Sequence, residues 1–585
     1  MALELASSVD AQKVPAWTQD ITISTVAVTS TDIDSKSESS DSSEEEVGAR
    51  PARLDVDYDI LNLLYGDMDD TMRRWRNLYH QRVRCGTNKE LWSFTRAIAS
   101  LAESVLGKAD DPKFGGRDTR QIIRTLVTEH GLCSFLELVV SQEDFFAEYP
   151  DFVISMLDVV IAVVVQAEKH PNVLKQSREM IAALCDNAWK KHALLANNDE
   201  LDQYYPMGRL GIRHQLSFML LAMIMPVKAK TFGSEGFLRR ASFVCWFYSP
   251  EIEAAASDLM YSTIVLMYAM EGNAGTAKER TSRQTNVDVK DLMELMGQDV
   301  LPTFGANGYL MRLRNTLEHP GLINETLDWA VSSMTRSVIT HPEFLNELAP
   351  SGILKAALEC LNRQAMEGKP GTQSDSLCNV LGMYTMIMNV GFAAPKRHHA
   401  ILTALIREGS LVEIVARALR ICVTEGQSKG LTYNICLDGV KALETCALWA
   451  NTLSAKNPLR KVMRQGFREE WYPTLAFLRE TTGRATNSKH ARILNIWKKL
   501  GEDLGFEEDV QKAQYERELR KAERHCTRAA CRYHKEVCPI KLRACKGCGE
   551  KYCSSTCQRK DWKEEHKLRC KRLNGNPEGE AEPAA

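Results

Sequence analysis

The segment Cys526–Cys570 near the carboxyl end of the chain reads CTRAACRYHKEVCPIKLRACKGCGEKYCSSTCQRKDWKEEHKLRC. It holds eight of the 17 cysteines within 45 of the 585 residues. A segment this short rarely buries enough apolar surface to fold alone, so we expect covalent or metal cross-links to hold it together. Disulfides and bound metal ions are the two candidates.

The spacing of the cysteines in this segment favours metal. Cys545–Cys548 is a CxxC knuckle whose glycines allow a tight turn around a cation. Cys553 and Cys557 are four residues apart, so on a helical turn they share one face, and His566 and Cys570 repeat that spacing. A histidine among paired cysteines is typical of a zinc site rather than of a disulfide framework.

The order of these pairs, together with Tyr552, Gln558 and Trp562, resembles a MYND zinc finger. The resemblance covers about 45 residues and implies two structural zinc ions, each with four protein ligands and no open position for water or substrate. Two interleaved sets of ligands are implied by position. They are Cys526, Cys531, Cys553 and Cys557 for one ion, and Cys545, Cys548, His566 and Cys570 for the other.

The first ligand pair departs from the family pattern. Cys526 and Cys531 are separated by four residues, where two is the commoner spacing. Cys526 is therefore the least secure ligand, and Cys538 could replace one member of the pair. His525 and His534 are weaker substitutes.

Composition predicts an ordinary globular protein. Apolar residues make up 44% of the sequence, charged residues 26%, and the net charge is −2. The amino terminus lacks the basic flank and apolar run of a signal peptide. The most apolar stretch, 152–165, is interrupted by Asp158 and is too short to span a membrane. We therefore expect an intracellular protein, in the nucleus or the cytoplasm, with reduced core thiols and no membrane partner.

The remainder of the chain divides by pattern into a tail, a long helical region and a spacer. Residues 1–54 are rich in serine and acid and predict disorder, as do residues 571–585. Residues 55–505 predict a mainly α scaffold, and 506–525 a charged, solvated spacer helix.

A glycine followed by an apolar helix recurs at Gly131, Gly321, Gly352 and Gly409. These stretches resemble armadillo repeats, but their uneven intervals leave a solenoid and an irregular helical domain as alternatives.

No familiar catalytic motif is present. The sequence contains no GxxxxGK[ST], GxGxxG or GxSxG. MYND fingers also accompany SET-domain methyltransferases, but no histidine here follows an asparagine as in that family's signature. We therefore expect a protein that is not an enzyme, with an unrecognised site in the helical region as an alternative.

Two binding functions remain for the finger. Gln558 and Trp562 share one helical face beside the ligand Cys557, and the resemblance implies that they contact a short Pro/Leu-containing peptide of a partner protein. Residues 521–572 also carry 16 Lys/Arg against 6 Asp/Glu, which makes nucleic-acid binding the alternative. The prediction is an adaptor for transcriptional regulation or protein turnover, with the helical region as its second binding surface.

Overall fold

The structure, a computed structural model, describes residues 58–570 with internal gaps. Outside the described residues lie 1–57, 83–87, 106–117, 197–207, 225–235, 249–255, 272–286, 323–326, 328–329, 332, 336–340, 368–372, 393–394, 425–429, 455, 483–487, 522–524, 535, 537, 568–569 and 571–585. The predictions of disorder for residues 1–54 and 571–585 therefore fall on residues that the structure does not describe.

The described chain is helical almost throughout and divides into two compact units between Thr303 and Phe304. In the first unit the helices are α1 Tyr58–Gly66, α2 Met68–His80, α3 Lys89–Glu103, α4 Thr119–Thr128, α5 Leu132–Val140, α6 Pro150–Lys169, α7 Pro171–Lys190, α8 His192–Leu195, α9 Gly208–Ile224, α10 Gly236–Phe247, α11 Ala256–Glu271 and α12 Val287–Glu294. A 3₁₀ turn, Phe145–Ala147, and a π turn, Leu295–Val300, complete it.

The second unit contains the remaining helices and a two-stranded sheet. Its helices are α13 Leu301–Glu318, α14 Glu343–Glu347, α15 Ile353–Glu367, α16 Gln373–Phe392, α17 Pro395–Arg407, α18 Leu411–Thr424, α19 Gly430–Thr452, α20 Pro458–Thr482, α21 Ser488–Asp503, α22 Glu508–Lys521 and α23 Ser555–Asp561. The strands are β1 Arg543–Ala544 and β2 Lys551–Tyr552, with short turns at Arg532–His534 and Trp562–His566. The mainly α fold predicted from the periodicity is confirmed.

The most apolar helix of the first unit, α6, forms part of its core. An 18-residue window, Pro150–Ala167, is long and apolar enough to span a membrane, yet 83% of it is buried inside the protein. The helix packs against α3, α7 and α9, and Asp158 in its middle is 4% exposed. The stretch has the burial of a core helix, as its interrupting aspartate indicated.

Packing within each unit is local along the chain. In the second unit α16 packs against α17, α18 and α19, α18 against α20, and α19 against α21. Contacts between helices one to three places apart are those of a stacked helical array. Helix lengths vary from 4 residues in α8 to 25 in α20, so the array is an irregular helical scaffold rather than a repeat of one length.

Two of the glycine-led helices begin in the same way. Gly131 and Gly352, which precede α5 and α15, have φ values of 64° and 70°, in the left-handed region that favours glycine. An arginine of an earlier helix reaches each turn. The Arg76 guanidinium donates to the carbonyl of Gly131 at 3.0 Å, and that of Arg314 donates to the carbonyl of Ser351 at 3.4 Å. The two units therefore share the same kind of helix start, a left-handed glycine with an arginine bound to its turn. The sequence indicated the glycines but not the arginines.

The segment expected to be a solvated spacer instead packs on the scaffold. Helix α22 lies against α20, where Tyr515 contacts Tyr472 with ring centroids 5.7 Å apart. At its amino end Glu508 forms an ion pair with Arg479, and that guanidinium lowers the pKa of the Glu508 carboxyl. The helix is present as predicted and none of its described side chains is buried, but polar and aromatic side chains attach one side of it to α20.

Candidate metal centre

A short hairpin shapes the CxxC knuckle of the carboxyl-terminal segment. Strands β1 and β2 pair antiparallel, with Arg543 opposite Tyr552 and Ala544 opposite Lys551. Between them the Cys545 N–H donates to the Glu550 carbonyl at 2.7 Å, and the Gly549 N–H donates to the Cys545 carbonyl at 2.9 Å. These bonds fold the knuckle tightly, so the sulfurs of Cys545 and Cys548 turn to the same side.

Helix α23 and the turn after it position the other late ligands. Ser554 caps the helix, because its hydroxyl accepts from the Cys557 N–H at 3.0 Å. The helix therefore starts directly after Cys553 and brings Cys557 back over it. The Cys570 N–H donates to the His566 carbonyl at 2.8 Å, which places these two side chains together as their spacing predicted.

The structure brings the eight sequence-predicted ligands together in two groups of four. One group is Cys526, Cys531, Cys553 and Cys557, and the other is Cys545, Cys548, His566 and Cys570. Within each group the ligand atoms lie within 4.8 Å of one another. Seven of the eight side chains are buried, and Cys548 is partly buried.

The interatomic distances fit tetrahedral zinc. In the first group the Sγ atom of Cys553 lies 3.5 Å from the Sγ atom of Cys531 and 3.3 Å from that of Cys557. In the second, His566 Nε2 lies 3.3 Å from Cys545 Sγ. With Zn–S bonds of about 2.3 Å and Zn–N of about 2.0 Å, a tetrahedron has edges of about 3.8 and 3.5 Å. Disulfide sulfurs would be about 2.0 Å apart. Four protein ligands per ion leave no open position, so both ions are structural.

The pKa shifts of the clustered thiols are consistent with a bound cation. The backbone N–H of Gly547 and the imidazole of His566 lower the pKa of Cys545 to about 6. In the other group the neighbouring thiols lower the pKa of Cys557 but raise that of Cys553. Without metal, one sulfur ionises at the expense of the next. A dication lets all of them be thiolates, which is the ligand form.

A buried polar network supports His566 from behind. Its Nδ1 atom lies 2.6 Å from a carboxylate oxygen of Glu550. The Tyr552 hydroxyl lies 2.7 Å from a carboxylate oxygen of Asp561 and 2.9 Å from one of Glu550, so its single proton is shared between these two acceptors. Burial and these carboxylates raise the pKa of Tyr552, so it remains a donor. Carboxylates at the far nitrogen fix the ring orientation of a zinc-bound histidine. Sequence spacing did not reveal this network, although Tyr552 directly precedes the ligand Cys553 and Glu550 lies three residues before it.

The structure resolves the alternatives for the first ligand pair in favour of Cys526 and Cys531. Cys538 is fully buried, yet it belongs to neither group of ligand atoms. His534 is engaged elsewhere, because its Nδ1 atom lies 2.9 Å from the Cys526 carbonyl. The loop between the first two ligands thus accommodates two more residues than the commoner spacing without losing the site.

The two residues predicted to contact a peptide lie at the edge of the buried finger core. Gln558 and Trp562 are both partly exposed. The Trp562 ring lies 5.4 Å from the imidazole of His566 and packs against the buried cluster. One side of the indole thus has a structural role in the finger core, and the partly exposed side chain leaves another side accessible to solvent.

The finger also packs directly on the second helical unit. The Arg532 guanidinium donates to the carbonyl of Ala365, at the end of α15, at 2.9 Å. The neighbouring Met366 packs against the buried finger residues. The expectation that a spacer holds the finger apart from the scaffold is therefore wrong, because the finger uses α15 as part of its packing surface.

Two ion pairs lie at the same junction. Lys541 is 3.6 Å from Glu469 of α20, and Arg543 is 3.6 Å from Glu359 of α15. All four side chains are more than 40% exposed, so each pair contributes well under about 1 kcal/mol. These pairs orient the finger on the unit more than they hold it there.

A buried arginine of the scaffold completes the junction. Arg417 of α18 is 5% exposed and donates to the side-chain oxygen of Asn362 at 3.1 Å. Burial lowers the pKa of Arg417, and the nearby carboxylate of Glu413 opposes that shift. Asn362 supplies a hydrogen bond of the kind that a buried charge needs, and Tyr533 of the finger lies close to the same guanidinium.

Comparison with known proteins identifies the same segment. Residues 539–570 match the model of the MYND finger family. No curated protein matches the chain. The match begins after Cys526 and Cys531, so the assignment of these two residues as ligands rests on their position in the structure and not on the family match. The carboxyl-terminal segment is a MYND-type zinc finger that holds two structural zinc ions and follows a helical scaffold.

Proposed function

We propose that this protein is an intracellular adaptor whose zinc finger docks a short Pro/Leu-containing peptide of a partner protein. MYND fingers in general are zinc-binding protein-interaction domains. The helical scaffold offers the second binding surface, and the coupled partners act in transcriptional regulation or in protein turnover. The proposal includes no enzymatic role and leaves nucleus and cytoplasm both open.

The observation that carries the proposal is the pairing of Gln558 and Trp562. Both are partly exposed, and the zinc ligand Cys557 precedes Gln558 while His566 lies under Trp562. A rigid tryptophan next to an amide that can bond a peptide backbone is an effective anchor for an extended peptide. The hydrogen bonds and ion pairs to the scaffold start from Arg532, Lys541 and Arg543, which leaves this pair available.

The proposal predicts that the variant Gln558→Ala, Trp562→Ala loses a defined subset of partners. Wild type and variant would be purified by affinity from cells and their partners compared by mass spectrometry. Ser555→Ala, an exposed change on the same helix, is the matched control and should leave the partner list intact.

Zinc content separates lost contact from unfolding in this experiment, because Trp562 also packs on the finger core. Both variants should keep two zinc ions per chain, and Gln558→Ala alone provides a milder test. An unchanged partner list in a variant that retains two zinc ions would refute peptide docking at this site.

A further inference from the structure

The basic residues of the finger include two groups that differ in their contacts. Four of them are engaged within the finger or with the scaffold. Arg528 forms a two-point contact with Glu564 at 3.0 and 3.2 Å. Arg532 donates a hydrogen bond to the scaffold, and Lys541 and Arg543 form exposed ion pairs with it. The positive charge of the finger is therefore partly used in folding and packing.

The second group lies on α23 and the turn after it. Arg559, Lys560, Lys563 and Lys567 are all exposed, and none forms an ion pair with a residue that the structure describes. We call these four residues the basic face. The acids of this segment do not neutralise it. Asp561 is buried against Tyr552, and Glu564 is paired with Arg528.

The basic face adjoins the proposed peptide site. Arg559 follows Gln558 in the chain, and Lys563 follows Trp562. Lys567 directly follows the turn Trp562–His566 that contains Lys563. The exposed cations therefore lie between and directly after the two residues of the proposed peptide site along one short segment.

We propose that the basic face binds a short acidic stretch that flanks the docked motif in the same partner peptide. This inference rests on the proposed docking function and names the chemistry of its partner more closely. Charge complementarity carries it, because an excess of exposed cations borders an apolar anchor. The acidic flank adds affinity and orients the peptide along α23.

A peptide fits this surface better than a nucleic acid does. Single nucleic-acid-binding modules bury about 600–1,000 Å² of surface and draw on many basic residues. Here Arg532, Lys541 and Arg543 are engaged at the scaffold junction. The remaining basic face is one short helix and a turn, a footprint that suits a few carboxylates.

The test compares two fluorescein-labelled peptides that share the core SPPLPPLG and end in EDEE or in QNQQ. Fluorescence anisotropy with the full chain should show the acidic peptide binding about five- to tenfold more tightly at low salt, as expected for a few exposed ion pairs. The gain should shrink as salt rises. Lys563→Gln, Lys567→Gln should remove the gain and leave the affinity of the QNQQ peptide unchanged.

A matched control and a competitor make each outcome decisive. Lys441→Gln, Lys461→Gln removes two exposed cations of α19 and α20 and should preserve the gain. Equal affinity of the two peptides would overturn the acidic flank alone, since the QNQQ peptide reports docking by itself. Absence of binding by either peptide would overturn both proposals. An oligothymidylate that displaces the acidic peptide and binds more tightly would assign the basic face to nucleic acid.

Discussion

Replacing Cys553 with alanine is expected to release one of the two zinc ions and to destabilise the zinc finger strongly. The change removes one of four sulfurs from the first group of ligands, and the remaining three cannot hold a structural zinc ion in a closed tetrahedron. Each such ion contributes on the order of 10 kcal/mol to the folding of a small module. The finger has little other core, so losing one ion exposes its tyrosine and cysteine side chains.

The loss should also extend to the helical unit. Arg417 is buried beside Tyr533, and Met366 packs on the finger. Hydrogen exchange followed by mass spectrometry should therefore show faster exchange in 526–570 and, to a smaller extent, in α15 and α18. Cys422→Ala, which alters a buried thiol of α18 outside the ligand groups, is the control and should leave the finger protected.

Unchanged protection of residues 526–570 in Cys553→Ala would contradict the account. It would mean that apolar packing alone holds the finger. The matched change at Cys422 then shows whether either variant simply lowers the stability of the whole chain.

Gly501→Ala is expected to destabilise the second unit strongly. Trp471 and Trp497 are fully buried, and each indole N–H donates to the other residue's carbonyl at 3.0 Å. A β-carbon at Gly501 would overlap the indole ring of Trp471. Relief requires moving a ring that is fixed by packing and by both hydrogen bonds, so we expect a loss of about 3 kcal/mol.

Unfolding in urea, followed by tryptophan fluorescence, measures this effect at the residues involved. Gly382→Ala is the matched control, because nothing lies within 4 Å of a β-carbon there and the residue sits inside helix α16. That variant should be slightly more stable, by roughly 0.5–1 kcal/mol. If both variants unfold at the same urea concentration as wild type, the packing described around Trp471 is wrong.

Local geometry explains why the zinc ligands could be predicted from sequence. A CxxC knuckle and pairs four residues apart fix side-chain direction within one turn of backbone. Spacing could not decide whether Cys531 or Cys538 is the zinc ligand, because the sequence joining them has no regular period. Only the three-dimensional position of Cys538, buried outside both groups, separates the two.

The docking of the finger on the scaffold could not be read from the sequence. Arg532 and Ala365 are 167 residues apart, and neither stands out in its own stretch. Arg417 lies in a strongly apolar helix, where an arginine is usually assumed to reach solvent. The burial of Arg417 depends on packing between segments far apart in the sequence, which a local hydrophobic pattern does not indicate.

The charged helix α22 shows the same limit. Its composition has no continuous apolar face, which favoured a solvated spacer. Its attachment to α20 depends instead on the Arg479–Glu508 pair and on contact between Tyr472 and Tyr515. Contacts of this kind between polar and aromatic side chains of two helices produce no periodic pattern in the sequence of either helix.

The zinc content of the purified full-length chain tests the central claim most directly. Elemental analysis should find two zinc ions per chain in wild type and in Cys538→Ser, and about one in Cys531→Ser. This result follows because Cys531, and not Cys538, lies among the ligand atoms of the first group. One ion or none in wild type, or loss of zinc in Cys538→Ser with retention in Cys531→Ser, would contradict the two-zinc finger described here.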